Sequence, residues 1–153
     1  MCIRDRSHTA GSNPGAIAIG DFNQDGHLDL AVEDNSLANV SVLNGDGLGG
    51  FGTAATYTTA GAGIWVAVAD FNGDGWEDLA TVSSFGTTVS VLLNDGTGLF
   101  LTNADYSVGS GPFAVVAGDF NGDGVADLIA ANSNDNNLSV LLGTCLLYTS
   151  RCV

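Results

Sequence analysis

The sequence predicts an all-β fold of β-propeller blades, each a four-stranded antiparallel unit, and three observations predict it. The stretch "DFNxDGxxDL" occurs three times, starting at Asp21, Asp70 and Asp119, a constant spacing of 49 residues. Each period contains four strand-length apolar runs separated by Gly-, Asn- and Asp-rich turns. No segment sustains the 3.6-residue periodicity of an amphipathic helix. A fixed period of this size with four strands per unit is the mark of propeller blades; coils of a parallel β-helix are much shorter, and a sandwich has no reason for an unvaried repeat.

The elements follow in order within each unit. A first apolar strand ("AIAIGD", "WVAVAD", "FAVVAGD") stops at the acidic stretch, and a second follows it ("LDLAVE", "EDLATV", "ADLIAA"). The third is centred on Ser41, Ser90 or Ser139 inside "VSVL", "VSVLL" and "LSVLL". A fourth, more polar strand is expected from Phe51 to Thr58 and from Phe100 to Val108, pairing Phe51 with Phe100 and Tyr57 with Tyr106 in register. The first and second strands, being the most apolar, are expected innermost, with the fourth at the outer rim. Gly11, Ser12 and Pro14 match Gly109, Ser110 and Pro112 two periods later, so residues 7–14 read as the end of a preceding unit. Repeat 1 then spans 15–63, repeat 2 spans 64–112, and a truncated repeat 3 spans 113–144. Closed propellers have 4 to 8 blades, so the natural protein is expected to be longer, with the remaining blades of a parent chain as partners.

The ends have a different character. Every Lys, Arg and Cys lies outside Ser7–Thr144: Arg4, Arg6, Arg151, Cys2, Cys145 and Cys152. One codon choice for Met1–Asp5, ATG TGT ATA AGA GAC, extended by AG, has a reverse complement that encodes the "CLLYT" at Cys145–Thr149. Re-entry into the forward string gives the terminal "RCV" and a stop. This resembles a transposase sequencing adapter, so residues 1–6 and 145–153 are expected to be translated adapter and are set aside from fold reasoning. The cysteines then say nothing about redox compartment.

The acidic stretch is where the chemistry lies. Calcium takes 6 to 8 oxygen ligands, and a loop can supply them from side chains at positions 1, 3 and 5, a carbonyl at 7 and a further carboxylate beyond. The candidates are Asp21, Asn23, Asp25, the carbonyl of His27 and Asp29; Asp70, Asn72, Asp74, the carbonyl of Trp76 and Asp78; and Asp119, Asn121, Asp123, the carbonyl of Val125 and Asp127. Gly26, Gly75 and Gly124 stand at position 6, where the chain must turn sharply. An EF-hand is excluded, because its Glu at position 12 is replaced by Val32, Thr81 or Ala130 and the flanks read as strands. One such stretch alone would read as a solvated turn. Three copies with no Lys or Arg nearby to relieve the carboxylates predict one Ca2+ per loop. Magnesium demands stricter octahedral geometry, and the soft ligands that select zinc or copper are missing between Ser7 and Thr144.

Other features carry less. The His27 side chain is expected to be a variable loop residue, Trp65 a packing residue, and Trp76 and Phe85 are the only candidates for sugar-stacking platforms. No Ser/His/Asp order or phosphate-cradling glycine motif stands out, and no enzyme activity is predicted. A balance of 17 acidic against 3 basic residues, net −14, argues against nucleic acid and anionic membrane surfaces and for cations. No apolar run approaches the ~20 residues of a membrane-spanning helix, so no membrane insertion is expected.

These residues, together with the "GGFG" at Gly49–Gly52, give a chain that resembles the FG-GAP and VCBS-type repeats of the integrin-alpha-like propeller superfamily. The resemblance covers Ser7 to Thr144; "GLF" at Gly98–Phe100 departs from it by lacking the following Gly. It implies a seven-bladed extracellular propeller with calcium between blade strands, in a secreted or cell-surface protein. The expected function is non-catalytic adhesion, or recognition of a protein or carbohydrate ligand. An accessory domain of a secreted polysaccharide-acting enzyme and a structural spacer are the alternatives.

Overall fold

The computed structural model describes residues 6–83 and 85–143, with the side chains of residues 102 and 103 left out. The expectation for the extreme termini therefore falls almost wholly outside the described residues. The described chain is all β. Strands β1 (Pro14–Gly20), β2 (Asp29–Asp34), β3 (Asn39–Leu43) and β4 (Ala55–Thr58) form one antiparallel sheet in that order. Strands β5 (Trp65–Ala69), β6 (Asp78–Val82), β7 (Thr88–Asn94) and β8 (Phe100–Ser107) form the next. The third consists of β9 (Pro112–Gly118), β10 (Asp127–Asn132) and β11 (Asn137–Leu141). These are successive propeller blades, and each acidic loop joins the first two strands of its own blade.

Register repeats as the sequence does. Ala31 pairs with Val42, Ala80 with Val91 and Ile129 with Val140. Two details depart from expectation. β4 is confined to Ala55–Thr58, because Phe51 makes only an isolated bridge to Gly45 across the "NGDGLGG" turn. Burial peaks at the second and third strands rather than the first: β2 and β6 are almost wholly buried, whereas β1 and β5 keep exposed positions. A first strand has a neighbour on only one edge and lies at the free end of the blade. Trp65, expected to pack, is consequently exposed at the start of β5.

The core lies between blades. One cluster joins Phe22, Ala31, Val40 and Val42 of the first blade to Val66, Leu79, Leu92 and Phe100 of the second. The other joins Phe71, Ala80, Val82, Val89 and Val91 of the second to Val115, Leu128 and Ala130 of the third. The blades are further tied by connectors: the Ser90 hydroxyl accepts from Ala60 N at 2.9 Å and the Ser139 hydroxyl from Gly109 N at 3.0 Å. This gives the in-register serines a role that periodicity alone does not show.

The two interfaces differ in polarity at one pair. Where Val82 and Ala130 meet in the second, the first has Glu33 and Thr81, one period earlier. Glu33 is fully buried, and neither carboxylate oxygen has a hydrogen-bond partner. Its carboxylate fills the space beside Gly63, where a Cβ would collide with it. Burial pushes the Glu33 carboxyl up to about 8; the Thr81 hydroxyl tempers this without reaching bonding geometry, and Asp34 adds to it.

The linkage has a definite sign. The unfolded chain releases this proton near 4.5 while the folded chain holds it to about 8. Glu33 therefore favours folding most below pH 4.5, and that contribution is lost as pH rises toward 8. Glu33→Val, which installs the residue of the next blade, is expected to raise the melting temperature at pH 8. The difference between variant and wild-type unfolding free energies should grow by roughly 2–5 kcal/mol from pH 4.5 to 8. Denaturant titrations across that range check it; parallel pH curves would refute the buried-acid assignment.

Candidate metal centre

Each acidic loop is a tight turn wound around its first aspartate. Asp70 Oδ1 accepts from Gly73 N at 2.7 Å and Asp74 N at 3.2 Å, while Oδ2 accepts from Gly75 N at 2.8 Å. Asp119 does the same with Gly122, Asp123 and Gly124. Asp21 holds Asp25 N and Gly26 N. The position-3 amide faces position 5, with Asn23, Asn72 and Asn121 donating to Asp25, Asp74 and Asp123 at 3.0, 2.8 and 2.9 Å. Position 5 in turn accepts the N–H of position 7, from His27, Trp76 and Val125.

The backbone explains the glycines. Gly26, Gly75 and Gly124 have φ of 85°, 88° and 87°, a left-handed conformation that only glycine adopts freely. Position 4 is left-handed too, at Gly73 and Gly122, and in the first loop Gln24 accepts φ of 52°. Gln24 also donates from Nε2 to Gly75 O at 2.8 Å, linking the first loop to the second. The sequence signal for position 4 was present in two of the three copies.

The position-9 aspartates do something that spacing alone did not reveal. Asp29, Asp78 and Asp127 are fully buried. One oxygen of each accepts the N–H of Phe22, Phe71 or Phe120, at 3.1, 2.9 and 3.0 Å. The other accepts the N–H of Gly45, Asn94 or Gly143, each at 2.8 Å. These carboxylates clamp the start of the acidic loop to the end of the blade's third strand. Burial pushes the Asp78 carboxyl up to about 6, and the loop carboxylates Asp74 and Asp70 add to the rise although its two N–H donors oppose it. Asp29 is raised for the same reasons, with Asp25 and Asp21 as the added charges. At the loop surface the direction reverses: the N–H of His27 holds Asp25 below the usual carboxylate range, and the N–H of Gly124 does so for Asp119.

Positions 1, 3 and 5 are thus brought together within each loop, and in the first two loops position 9 lies close enough beneath to feel the charge of positions 1 and 5. They do not converge as a finished all-acid cage: among the described residues no group of three His, Cys, Asp or Glu side chains is placed to hold a metal. The carboxylate oxygens are turned toward loop N–H groups, and Asp70 Oδ1 and Asp119 Oδ1 each accept two of them, but Oδ2 of each accepts one and keeps a second lone pair. The donor set fits a hard cation, since it is entirely oxygen and the position-5 carboxylate of each loop, Asp25, Asp74 or Asp123, stays exposed.

Two residues outside the expected set complete the site. Asn94, buried, donates to Phe22 O at 2.8 Å and to Glu77 O at 3.2 Å, gripping the first loop from the second blade. Glu77 Oε2 accepts from Asp21 N at 2.9 Å. The His27 ring lies over Gly47 and places Nδ1 3.2 Å from Asp25 Oδ1, while the Trp76 ring lies over Gly96.

Successive antiparallel blades, two of four strands and one of three among the described residues, with a glycine-turned acidic loop in each define a β-propeller repeat module. A family model described as FG-GAP-like repeat matches residues 21–81 and 71–130. The chain belongs to that family. A search of curated proteins returns no match.

Because position 9 is a buried clamp and position 5 is an exposed loop residue, their losses should differ in the metal-free chain. Asp78→Ala strands two buried N–H groups and is expected to cost roughly 2–4 kcal/mol. Asp74→Ala, whose partners reach water, should cost less than about 1 kcal/mol. Urea unfolding in excess chelator measures both; equal losses would contradict the clamp.

Proposed function

We propose that the chain is a non-catalytic, calcium-binding β-propeller repeat module of a secreted or cell-surface protein, serving adhesion or recognition of a protein or carbohydrate ligand. The observation that carries this reading is the gathering of oxygen donors in one loop: the Asn72 amide faces Asp74 at 2.8 Å, Asp70 accepts the Asp74 N–H, and beneath them burial pushes the Asp78 carboxyl up to about 6, with Asp74 and Asp70 adding to the rise. No Lys or Arg lies anywhere between Ser7 and Thr144 to offset it. Asp70, Asn72, Asp74, the Trp76 carbonyl and Asp78 would hold the ion, as would their counterparts one period before and after. A divalent cation supplies positive charge where the loop has only oxygen, and it stabilises the folded blade by mass action. Three ions would take the 16 acids of Ser7–Thr144 to a net −10. Millimolar extracellular calcium saturates even weak modules, which suits a secreted or surface location.

A second reading, an accessory domain of a secreted polysaccharide-acting enzyme, is favoured by one feature. Phe85 stands exposed beside a cleft of about 190 Å³ whose walls include Thr81, Ser83, Thr88 and Ser90. An exposed ring with neighbouring hydroxyls suits a sugar, and retention on immobilised polysaccharide, lost in Phe85→Ala, distinguishes this reading from a protein ligand.

Thermal melting in chelator, calcium and magnesium tests the cation sites. A rise of several degrees specific to calcium, abolished by joint replacement of Asp25, Asp74 and Asp123 with Ala, is expected. A cooperative melt indifferent to calcium would return the loops to solvated turns.

A further inference from the structure

Each blade is entered through a short connector, residues 11–13, 60–62 and 109–111, one period apart. In the first, the N–H groups of Ser12 and Asn13 both reach Asp34 Oδ2, at 2.6 and 3.4 Å. The N–H of Ser12 holds the Asp34 carboxyl below the usual carboxylate range; those of Ser36, Asn13 and Leu37 add to this, and burial opposes it. In the third, Ser110 N, two periods after Ser12, reaches Asp135 Oδ2 at 2.7 Å. A carboxylate therefore answers the connector in both of these blades.

The second blade lacks that carboxylate. Gly61 and Ala62 stand where Ser12 and Asn13 stand one period earlier, while Ser83 replaces Asp34 and Gly86 replaces Asp135. Neither Gly61 N nor Ala62 N has an acceptor among the described residues. Where the first blade has a carboxylate, the second has the cleft of about 190 Å³ beside Phe85, with Gly61, Ala62, Ser83 and Thr88 in its walls. The Ser83 hydroxyl lies against Gly61, since a Cβ there would meet Oγ at 3.0 Å. The Ser90 hydroxyl is already spent: it accepts from Ala60 N and donates to Asp105 at 2.7 Å. Both blades that frame the cleft are described and pack together, so its shape depends on neither end of the chain.

We propose that this cleft binds a sugar of the uronic-acid class: its carboxylate takes the Gly61 and Ala62 N–H groups, in the place Asp34 fills one blade earlier, and its ring lies against Phe85. Successive backbone N–H groups are an anion-binding device, and their bonds to a carboxylate are about twice as strong as bonds to a neutral acceptor. Phe85 is 94% exposed and offers the sugar an apolar face, while Ser83 and Thr88 bring hydroxyls for the ring's own hydroxyls. None of these wall residues is charged, but the net charge of −14 and Asp105 behind Ser90 disfavour a polyanion. The cleft therefore suits one acidic sugar within an otherwise neutral glycan. This rests on the carbohydrate reading of the cleft and narrows it.

Amide NMR titration of the full chain in calcium, with glucuronate, glucose and acetate as probes, tests this. Glucuronate differs from glucose only in carrying a carboxylate in place of the terminal hydroxymethyl. It is expected to shift the Gly61 and Ala62 amide resonances and to bind on the order of tenfold tighter than glucose. It should also bind tighter than acetate, which has no ring to set on Phe85. Ser83→Asp installs the first blade's residue and should abolish the glucuronate shifts by supplying the carboxylate from the chain itself. Phe85→Ala should weaken glucuronate and leave acetate unchanged. Equal binding of glucose and glucuronate, both lost in Phe85→Ala, would overturn the carboxylate assignment and leave the carbohydrate reading standing. Glucuronate no tighter than acetate, or no glucuronate shift at Gly61 and Ala62 in the wild type, would overturn the proposal whatever the variants do. Retention on a neutral immobilised polysaccharide then judges the carbohydrate reading separately.

Discussion

A buried carboxylate bridging two backbone N–H groups is the interaction on which each blade depends. Asp29, Asp78 and Asp127 join the second residue of the acidic loop to the residue at the end of the third strand. A buried carboxylate is costly unless its charge is answered by hydrogen bonds. Here the two N–H donors answer it and in doing so fix where the loop begins. With that point fixed, Phe22 and Phe71 project into the interface with the next blade, and positions 1 to 7 wind into the turn above. The clamp and the loop are one unit: the residue that holds the blade together also places negative charge under the exposed carboxylates.

Packing between blades makes the second constraint. No blade has a core of its own among the described residues; the buried clusters each draw on two blades. Stability in such an array is close to a sum of unit and neighbour-interface contributions. The interfaces need not be equal: the first buries Glu33 against Thr81 at the place where the second has Val82 and Ala130. The polar pair costs stability at neutral pH because the carboxyl must stay protonated to remain buried.

Much of this was legible in the sequence, for reasons that can be named. A 49-residue period reports a unit that recurs in space, so four strands per unit and the position of each acidic loop followed directly. Glycine at position 6 reported a backbone angle, and the structure has that angle. The double role of position 9 was hidden because both its partners are main-chain N–H groups, which carry no residue signature. Phe at position 2 was present in all three copies and was readable as an interface anchor, yet a lone aromatic beside an acidic run gives no direction. Asn94 was out of reach, since its grip on Phe22 O spans 72 residues and its equivalent in the first blade is Gly45. Trp65 misled because hydrophobicity alone cannot say which end of a strand meets a neighbour.

The bonds between loops have a consequence for how the cation sites would act together. Gln24 reaches Gly75 O, Glu77 takes Asp21 N, and Asn94 holds Phe22 O. Through these contacts the first loop shares its backbone with the second. Whatever orders the second loop also fixes the carbonyl, carboxylate and amide that grip the first. A second ligand binding to an already ordered partner meets a smaller entropic cost, which is positive coupling without a change of shape. The same bonds bring Glu77 beside Asp21, adding negative charge to a loop that has no basic residue near it in the sequence. Order and charge therefore rise together along the rim, and a cation held in one loop, as proposed, would relieve repulsion that its neighbour also feels.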